Sequence, residues 1–197
     1  MGWAICRSHT PGRGLRLNFF ATKLEGAFII EPERLEDDRG FFARTWCERE
    51  FAAHGLEPRC VQCSISFNQK KSTLRGLHYQ VAPSEEAKLV RCTRGALYDV
   101  IVDLRSDSKT FGQWFSAELT AENRQMIFIP KSFAHGFLTL QDDTEVFYQM
   151  SAFYAPEYVR GLRWNDPAFG ISWPAEVRVI SERDRNYPNF VPHGAMK

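Results

Sequence analysis

The residues between Leu74 and Arg91 combine basic side chains with an apolar, strand-forming background. The segment reads LRGLHYQ, then the polar insert VAPSEEA, then KLVR. Its leucines, tyrosine and valine suit a pleated, half-buried surface, and the insert is typical of a loop that joins two strands. We therefore expect His78 and Lys88 to lie on neighbouring or facing strands. Together with Arg75 they predict a site for an anionic ligand with a base beside it.

Two of the five histidines, His78 and His135, lie in strand-like contexts that read GLHYQ and PKSFAHGFL. A metal site in a barrel usually takes three or four His or carboxylate ligands from closely spaced positions. No His-x-His pair occurs in the chain, and the residue two places after His78 is Gln80. We therefore expect no metal and no other cofactor. The pattern favours a histidine that acts as a general base when an acidic residue orients it.

Tyr148 lies in the alternating segment EVFYQM, where it shares a face with Val146 and Met150. A tyrosine on an apolar face is usually structural, whereas a phenol in a shifted environment can serve as a proton donor. The residues alone leave both roles open for Tyr148.

The spacing of strand-like segments predicts an all-β sandwich or barrel. Hydrophobic residues make up 44% and aromatic residues 14% of the 197 residues, as in a folded domain. Residues 96–105 alternate with a period of two, and similar segments recur about every ten residues, separated by turns. One short helix is expected at residues 47–54, with Gly55 ending it.

Three other segments lack strand character. Residues 1–16 show no period and are expected to form a flexible N-terminal extension, which leaves a single domain over residues 17–197. Residues 32–40 predict a charged turn, and the proline-rich tail after Trp164 predicts an irregular wrap with a turn or two of helix.

Charge and cysteine content exclude some classes of protein. The formal net charge of +1 gives no domain-wide attraction to nucleic acid or to an anionic membrane. No apolar run approaches the roughly 20 residues of a membrane helix, and no signal-peptide pattern opens the chain. Five cysteines, an odd number without dense spacing, argue against a disulfide framework and favour a cytoplasmic protein.

A series of motifs between residues 24 and 190 resembles the nucleotide-sugar 3,5-epimerases, most nearly the dTDP-4-dehydrorhamnose 3,5-epimerase family. The motifs occur in order and with compatible spacing, and they read LRGLHYQ, KLVRCTRGALYDVIVDLR, FGQW, IFIPKSFAHGFLTL, RWNDP, ISWP and SERDRNYP. The resemblance implies a metal-free, cupin-type jelly-roll barrel. It also implies a homodimer in which an N-terminal strand crosses to the partner.

The resemblance further implies a reaction at C3 and C5 of a dTDP-linked 4-keto-6-deoxyhexose, in deoxysugar biosynthesis. The C4 ketone acidifies the protons on both carbons, so a base, an acid on the opposite face and a cation near O4 suffice for inversion. The matching residues are His78 as base, Asp184 in SERD as its carboxylate, Tyr148 as acid and Lys88 as the cation. Further matching residues are implied to bind the substrate. Arg39 and Arg75 would bind the diphosphate, and Gln62, Ser66 and Tyr154 would line the cleft for the nucleotide and sugar. His135 would support the sugar or belong to a supporting network.

Two positions depart from the family pattern. Arg44 stands where many members have an acidic residue, and Gln62-Cys63-Ser64 replaces Gln-x-Asn. Both changes concern nucleotide recognition, so thymidine is the expected base without being established by the pattern.

Three other functions compete with the double epimerase. One is epimerisation at a single carbon, because the residues do not show where the proton returns. Another is a catalytically silent cupin that binds a sugar nucleotide, which predicts loss of His78, Asp184 or Tyr148. A metal-dependent cupin dioxygenase predicts an HxH motif. The chain keeps all three residues and lacks HxH, which favours the metal-free enzyme.

Overall fold

The computed structural model describes residues 15–191, and most of its regular secondary structure is β-strand. The strands are β1 (Leu17–Ala21), β2 (Phe28–Pro32), β3 (Arg34–Asp37), β4 (Gly40–Ala43), β5 (Gln62–Asn68), β6 (Thr73–Gln80), β7 (Lys88–Arg94), β8 (Ala96–Asp103), β9 (Trp114–Thr120), β10 (Met126–Ile129), β11 (Phe133–Thr139), β12 (Thr144–Met150), β13 (Val159–Gly161) and β14 (Val179–Ile180). The helices are α1 (Glu48–Ala53) and α2 (Glu182–Arg185), and Pro156–Tyr158 form a 3₁₀ turn. The predicted all-β class is confirmed.

Two sheets form the body of the fold. The first has the order β1-β2-β10-β7-β12-β5, and the second has the order β13-β6-β11-β8-β9, with β14 added in parallel to β6. Between β5 and β8 each successive strand enters the opposite sheet, which is the connectivity of a jelly roll. Within residues 15–191, strands β3 and β4 pair only with each other and form a separate hairpin.

The strand register places the predicted chemical groups on two sheets. His78 on β6 lies opposite His135 on β11, in the second sheet. Tyr148 on β12 lies opposite Val90 on β7, and Met150 lies opposite Lys88, in the first sheet. Because alternate residues of a strand share a face, Lys88 and Tyr148 project to the same side of their sheet. The two histidines are thus carried by one sheet, and the lysine and tyrosine by the other.

An apolar core fills much of the space between the sheets. Its buried members are Leu24, Ala27, Ile29, Val90, Cys92, Leu97, Ile101, Leu119, Ile127, Ile129, Phe133, Phe137 and Val146. A second cluster forms where helix α1 packs Phe51 against Phe19 and Phe128. The helix predicted at 47–54 is thereby confirmed, with Gly55 just beyond it at φ +69°.

The structure corrects some local expectations. The segment 32–40 is not simply a charged turn, because it contributes strand β3 and part of β4 to a hairpin. The local pattern predicts neither strand β1 nor strand β13, and the tail after Trp164, predicted as an irregular wrap with a turn or two of helix, contributes strand β14 to the second sheet as well as helix α2. Strands β13 and β14 both pair with the distant strand β6, which local sequence does not reveal, whereas β1 and β3 each pair with the next strand in the chain.

The predicted N-terminal extension lies mostly outside the described residues. Of its positions only Leu15 and Arg16 are described. The carbonyl of Leu15 accepts a hydrogen bond from Arg44 Nη1 (2.8 Å), and that of Arg16 accepts one from the Glu33 amide (2.9 Å). Within residues 15–191 no helix has the length and apolar character needed to cross a membrane.

Gly76 marks the closest approach between the strands that carry the two histidines. It has φ +118°, and a Cβ there would lie 2.5 Å from the Cα of Gly136 and 2.8 Å from the carbonyl oxygen of His135. These neighbours are backbone atoms, which cannot rotate away. A residue without a side chain is therefore required at this position.

Replacing Gly76 with alanine tests this constraint. We expect Gly76→Ala to lower the free energy of unfolding by about 2 kcal/mol or more, because backbone strain and collision add. Urea denaturation followed by fluorescence measures the change. Gly112→Ala is the control, since Gly112 also has a positive φ (+73°) but has no atom within 4 Å of the added Cβ. Equal losses in the two variants would contradict a role for close strand approach.

Candidate active site

A cavity of about 760 Å³ opens between the sheets and is lined by both of them and by the C-terminal segment around Asp184. Its volume lies in the range of small-molecule sites. Eight of the ten residues predicted to act in a site line it: Ser66, Arg75, His78, Lys88, His135, Tyr148, Tyr154 and Asp184. The fold therefore brings together residues separated by more than a hundred positions in the chain.

The imidazole of His78 is held by the carboxylate of Asp184. Nε2 of His78 lies 2.7 Å from Oδ1 of Asp184, and Oδ2 accepts a hydrogen bond from the Gly76 amide at 3.1 Å. The Asp184 side chain is only 5% exposed. With the proton on Nε2 donated to Asp184, the Nδ1 atom carries the free lone pair, which is the arrangement of a general base.

Burial alone would raise the pKa of Asp184. The hydrogen bond and charge interaction with His78, the Gly76 amide and the charge of Arg183 outweigh it, and the pKa is lowered below its ordinary value. Asp184 is therefore a carboxylate at neutral pH. It can both orient the imidazole and stabilise the imidazolium that forms when His78 takes up a proton.

The C-terminal tail is anchored so that Asp184 reaches the barrel. Strand β14 pairs in parallel with β6 just before the residue, and Ser181 Oγ accepts a hydrogen bond from the Asp184 amide (3.1 Å) at the start of α2. After the helix, the ring of Tyr187 packs directly on Gly161, where a Cβ would lie 2.1 Å from ring carbon Cζ. The same ring lies edge-on to His78, with centroids 6.0 Å apart. The tail thus fixes both members of the pair.

Tyr148 lines the cavity from the other sheet. Burial raises the pKa of its phenol strongly, the charge of Asp99 raises it further, and Arg75 opposes these effects only in part. The phenol therefore keeps its proton at physiological pH. A protonated phenol that lines the cavity from the sheet other than that of His78 is compatible with the proton-donor role that the sequence left open.

Lys88 is paired with a carboxylate that the sequence interpretation overlooked. Its Nζ lies 3.0 Å from Glu86 Oε1, and the two side chains are 11% and 8% exposed. Both residues line the cavity. A buried ammonium needs such a partner, so Glu86 holds Lys88 in place. Among the described residues, no second carboxylate forms a salt bridge with Lys88.

Arg75 is positioned by a neutral group. Its Nε donates to Oδ1 of Asn68 at 2.7 Å, and the amide nitrogen of Asn68 donates to the carbonyls of Thr144 (3.1 Å) and Ser66 (3.2 Å). Among the described residues, no carboxylate forms a salt bridge with Arg75. Its positive charge therefore remains available to an anionic ligand.

His135 belongs to a second, more deeply buried pair. Its Nε2 lies 2.7 Å from Oδ2 of Asp99, which is fully buried, and its ring lies edge-on to that of Tyr148 at 6.0 Å between centroids. Oδ1 of Asp99 has no hydrogen-bond partner among residues 15–191. The pair fixes His135 at the cavity wall beside the phenol, as expected of a supporting residue.

Two predicted residues do not line the cavity of their own chain. Gln62 acts indirectly, because its Oε1 accepts a hydrogen bond from the Tyr154 amide at 3.1 Å and so holds a residue that does line it. Arg39 lies at the tip of the β3–β4 hairpin. Its side chain is 88% exposed and pairs with Asp37.

Four further residues shape the site but were not predicted from the sequence: Asn68, Glu86, Asp99 and Arg183. Glu86 had a local signal, since a residue two places from Lys88 near the start of a strand can reach the same face. The other three act through partners that only the folded chain brings close. Over residues 15–191, no group of three His, Cys, Asp or Glu side chains is arranged to hold a metal ion.

Fold and cavity together define a class: a jelly-roll enzyme that carries out acid–base chemistry on an anionic small molecule. The comparisons with known proteins give the family. A family model for dTDP-4-dehydrorhamnose 3,5-epimerase matches residues 21–191. The chain belongs to the dTDP-4-dehydrorhamnose 3,5-epimerase family, whose cupin-type fold it shares.

Individual relatives agree with this assignment. The chain is 48% identical to a dTDP-4-dehydrorhamnose 3,5-epimerase of Methanothermobacter thermautotrophicus over 172 residues, covering 86% of this chain and 92% of the relative. It is similar to the crystal structure of the Bacillus anthracis dTDP-4-dehydrorhamnose 3,5-epimerase with TDP and PPi bound. The TM-score is 0.86 at 38% identity, over 89% of this chain and 100% of that one. A 3′-monoepimerase of Streptomyces bikiniensis in complex with dTDP-quinovose matches with a TM-score of 0.78 at 32% identity, over 85% of each chain.

The Asp184 carboxylate is expected to contribute to stability in a pH-dependent way. Asp184→Asn should cost about 1–3 kcal/mol of unfolding free energy at pH 5, since an amide cannot replace both accepting oxygens. Because the folded pKa of Asp184 is lowered, the contribution of its charge is present above the unfolded pKa of about 3.9 and is lost as the pH falls through the folded value. Urea denaturation of the wild type and Asp184→Asn between pH 5 and pH 2 should show that the difference in their free energies of unfolding becomes smaller as the pH falls. A difference that stays constant over this range would contradict the charged pair.

Proposed function

We propose that this protein epimerises C3 and C5 of a dTDP-4-keto-6-deoxyhexose in deoxysugar biosynthesis. The observation that carries the proposal is that His78, paired with Asp184, and the protonated phenol of Tyr148 line one cavity from two different sheets. Epimerisation beside a ketone needs a base on one face of the sugar and an acid on the other. Membership of the epimerase family supports the same reaction.

In this scheme, Nδ1 of His78 removes the proton from C3 or C5 and the electron pair moves to O4, which gives an enolate. Lys88, held by Glu86, donates a hydrogen bond to the developing oxyanion, an effect worth about 10²- to 10³-fold. Tyr148 then delivers its proton to the opposite face of the carbon. The electron pair of the enolate forms the new C–H bond, the C4 ketone is restored, and the negative charge passes to the phenolate oxygen of Tyr148. The configuration is inverted, and proton exchange with solvent returns the imidazolium of His78 and the phenolate of Tyr148 to their starting states.

We assign binding of the nucleotide diphosphate to the part of the cavity that is lined by Arg75. Arg75, oriented by Asn68, offers an uncompensated guanidinium to the phosphate oxygens. Ser66 and Tyr154 line the same space, with Tyr154 held by Gln62. We assign them to the nucleotide and sugar, and His135 to the support of the sugar beside Tyr148.

Proton exchange with solvent tests the reaction directly. The wild-type protein, incubated with dTDP-4-keto-6-deoxyglucose in deuterated water, should incorporate deuterium at C3 and C5, as read by NMR. His78→Asn should slow incorporation by about 10²- to 10⁴-fold, the usual value of a general base. Tyr148→Phe should still exchange protons but should invert the carbons poorly, because the donor on the opposite face is lost.

Two controls accompany this experiment. His54→Asn changes a histidine that stacks on Phe19 away from the cavity and should keep wild-type exchange. Prior treatment with EDTA should also leave the rate unchanged. Near-normal exchange in His78→Asn, or no exchange in the wild type, would refute the proposal.

Epimerisation at a single carbon is the second candidate function. The similarity of this chain to a 3′-monoepimerase supports it as an alternative. The same base, acid and cation serve one carbon or two. The position of the deuterium distinguishes the two functions: label at C3 alone identifies the single epimerase. The presence of the full acid–base set argues against a silent binding protein.

We further propose a cytoplasmic homodimer with residues 17–197 as its single domain. Four described cysteines, Cys47, Cys60, Cys63 and Cys92, are free thiols, as in a reducing compartment. Exposed apolar residues lie on the hairpin and on edge strand β5, among them Phe42 at 69% and Ile65 at 61%. Such surfaces are typical of subunit contacts.

Dimerisation also accounts for the position of Arg39. The arginine projects from the hairpin tip and does not line its own cavity. A hairpin with exposed Leu35, Phe41 and Phe42 would bury these side chains against a second copy. We propose that the hairpin carries Arg39 to the diphosphate in the partner's cavity.

Mixing two inactive variants tests this arrangement. Arg39→Ala and His78→Asn should each be impaired alone. After subunit exchange, each mixed dimer contains one Arg39→Ala chain and one His78→Asn chain. The cavity of the Arg39→Ala chain keeps His78 and receives Arg39 from its partner, so one of the two sites in the mixed dimer is complete. Random mixing of equal amounts should restore about a quarter of wild-type activity.

Native mass spectrometry confirms that mixed dimers have formed. Mixed dimers without restored activity would show that Arg39 does not act in the neighbouring site. A monomer at all concentrations would contradict the dimer itself.

A further inference from the structure

Glu86 places a negative charge inside a cavity that is expected to receive an anion. Its Oε1 lies 3.0 Å from Nζ of Lys88, the two side chains are 8% and 11% exposed, and both line the cavity. A carboxylate at this place repels a diphosphate. A neutral oxygen could also accept a hydrogen bond from the ammonium, so what the carboxylate adds is compensation of the positive charge.

The backbone on either side of Glu86 is anchored to the barrel. After Glu86, the amide of Ala87 donates to Oγ of Ser151 (2.8 Å), and the Ser151 amide donates to the Ala87 carbonyl (3.0 Å). Before Glu86, the carbonyl of Ser84 accepts a hydrogen bond from Nε2 of Gln80 (2.8 Å). These contacts hold the carboxylate at a fixed place in the cavity wall.

Charge compensation distinguishes the basic side chains of the cavity from one another. Lys88 is paired with Glu86, and Nε of Arg183 lies 3.5 Å from Oδ1 of Asp184. Of the lysine and arginine side chains that line the cavity within residues 15–191, Arg75 alone has no carboxylate partner, since its Nε donates to a neutral amide oxygen. An anion is therefore attracted to Arg75 rather than to Lys88.

We propose that Glu86 is a specificity-determining residue that sets the direction in which the substrate binds. With its charge compensated, Lys88 donates a hydrogen bond to the C4 oxygen of the sugar without attracting the diphosphate, which binds at Arg75. Without Glu86, the buried ammonium becomes a second site for anions. A substrate with its diphosphate at Lys88 would leave O4 without its hydrogen-bond donor. The inference rests on the proposed function for the identity of the substrate.

Binding of pyrophosphate, measured by calorimetry in the absence of turnover, tests this inference. Glu86→Gln keeps an oxygen acceptor for Lys88 and removes the negative charge, so it should bind pyrophosphate about tenfold or more tightly than the wild type does. Glu86→Met removes the same charge and should also gain affinity, so the result does not depend on one variant.

Glu85→Gln is the matched control. Glu85 is the neighbouring carboxylate, but its Oε1 accepts a hydrogen bond from Oγ of Ser132 (2.6 Å) and its side chain does not line the cavity. This variant loses the same charge from the same loop and should bind pyrophosphate as the wild type does.

Two double variants show where the additional pyrophosphate affinity arises. Arg75→Met alone should lose pyrophosphate binding, and Arg75→Met combined with Glu86→Gln should regain it through Lys88. Glu86→Gln combined with Lys88→Met should lose the tenfold gain, because the ammonium that produces it has been removed.

Kinetics with the dTDP-sugar supply a second readout. Reversed binding in Glu86→Gln is non-productive, so kcat and KM should fall together by about three- to tenfold, and kcat/KM should change little. A residue that only held Lys88 in position would instead lower kcat and kcat/KM equally and leave KM unchanged. That result would overturn the inference.

Equal pyrophosphate affinity in the wild type and Glu86→Gln would also overturn it, as would a gain that persists after Lys88→Met. The deuterium exchange of the wild type is a separate measurement. Exchange without the gain in pyrophosphate affinity refutes the role of Glu86 alone, and the gain without exchange refutes the proposed reaction alone.

Discussion

The hydrogen bond between the buried carboxylate of Asp184 and the imidazole of His78 is the contact on which the rest of the site depends. It joins residues 106 positions apart, so the tail must be tethered before the base exists. Three features attach the tail to the barrel: the parallel pairing of β14 with β6, the helix cap at Ser181, and the packing of Tyr187 on Gly161. The amide of Gly76 adds a fourth contact, since it donates a hydrogen bond to the second carboxylate oxygen of Asp184.

The charges of the cavity are divided between paired and available groups. Lys88 is neutralised by Glu86 and can donate a hydrogen bond without requiring an anion in the empty site. Arg75 is held by the uncharged amide of Asn68 and keeps its attraction for phosphate. This division suits a ligand that is anionic at one end and develops only transient negative charge at the other. It is also compatible with the formal net charge of +1, since a local cationic group can attract a diphosphate without a domain-wide attraction to polyanions.

Local patterns were sufficient to predict much of the fold, whereas the acid–base residues were predicted mainly from the resemblance to the epimerase family. The alternation at β8, the helix around Phe51 and the loop between β6 and β7 all follow short-range rules. The residues alone indicated His78 as a base and left the role of Tyr148 open, and the family resemblance supplied Asp184; all three line one cavity in the structure. The β3–β4 hairpin, by contrast, is so charged that it was taken for a turn. Asn68, Asp99 and Arg183 could not be predicted, because a buried amide or a second cation acquires its role only through partners distant in sequence.

A crystal structure with a dTDP-hexose that lacks the C4 ketone, and so cannot react, would test the central claim most directly. The account predicts the sugar ring between the two sheets, with Nδ1 of His78 near C3 or C5 on one face and the phenol oxygen of Tyr148 on the other. It also predicts the diphosphate at Arg75. A sugar that contacts both residues with the same face, or that leaves either residue out of reach of C3 and C5, would contradict it.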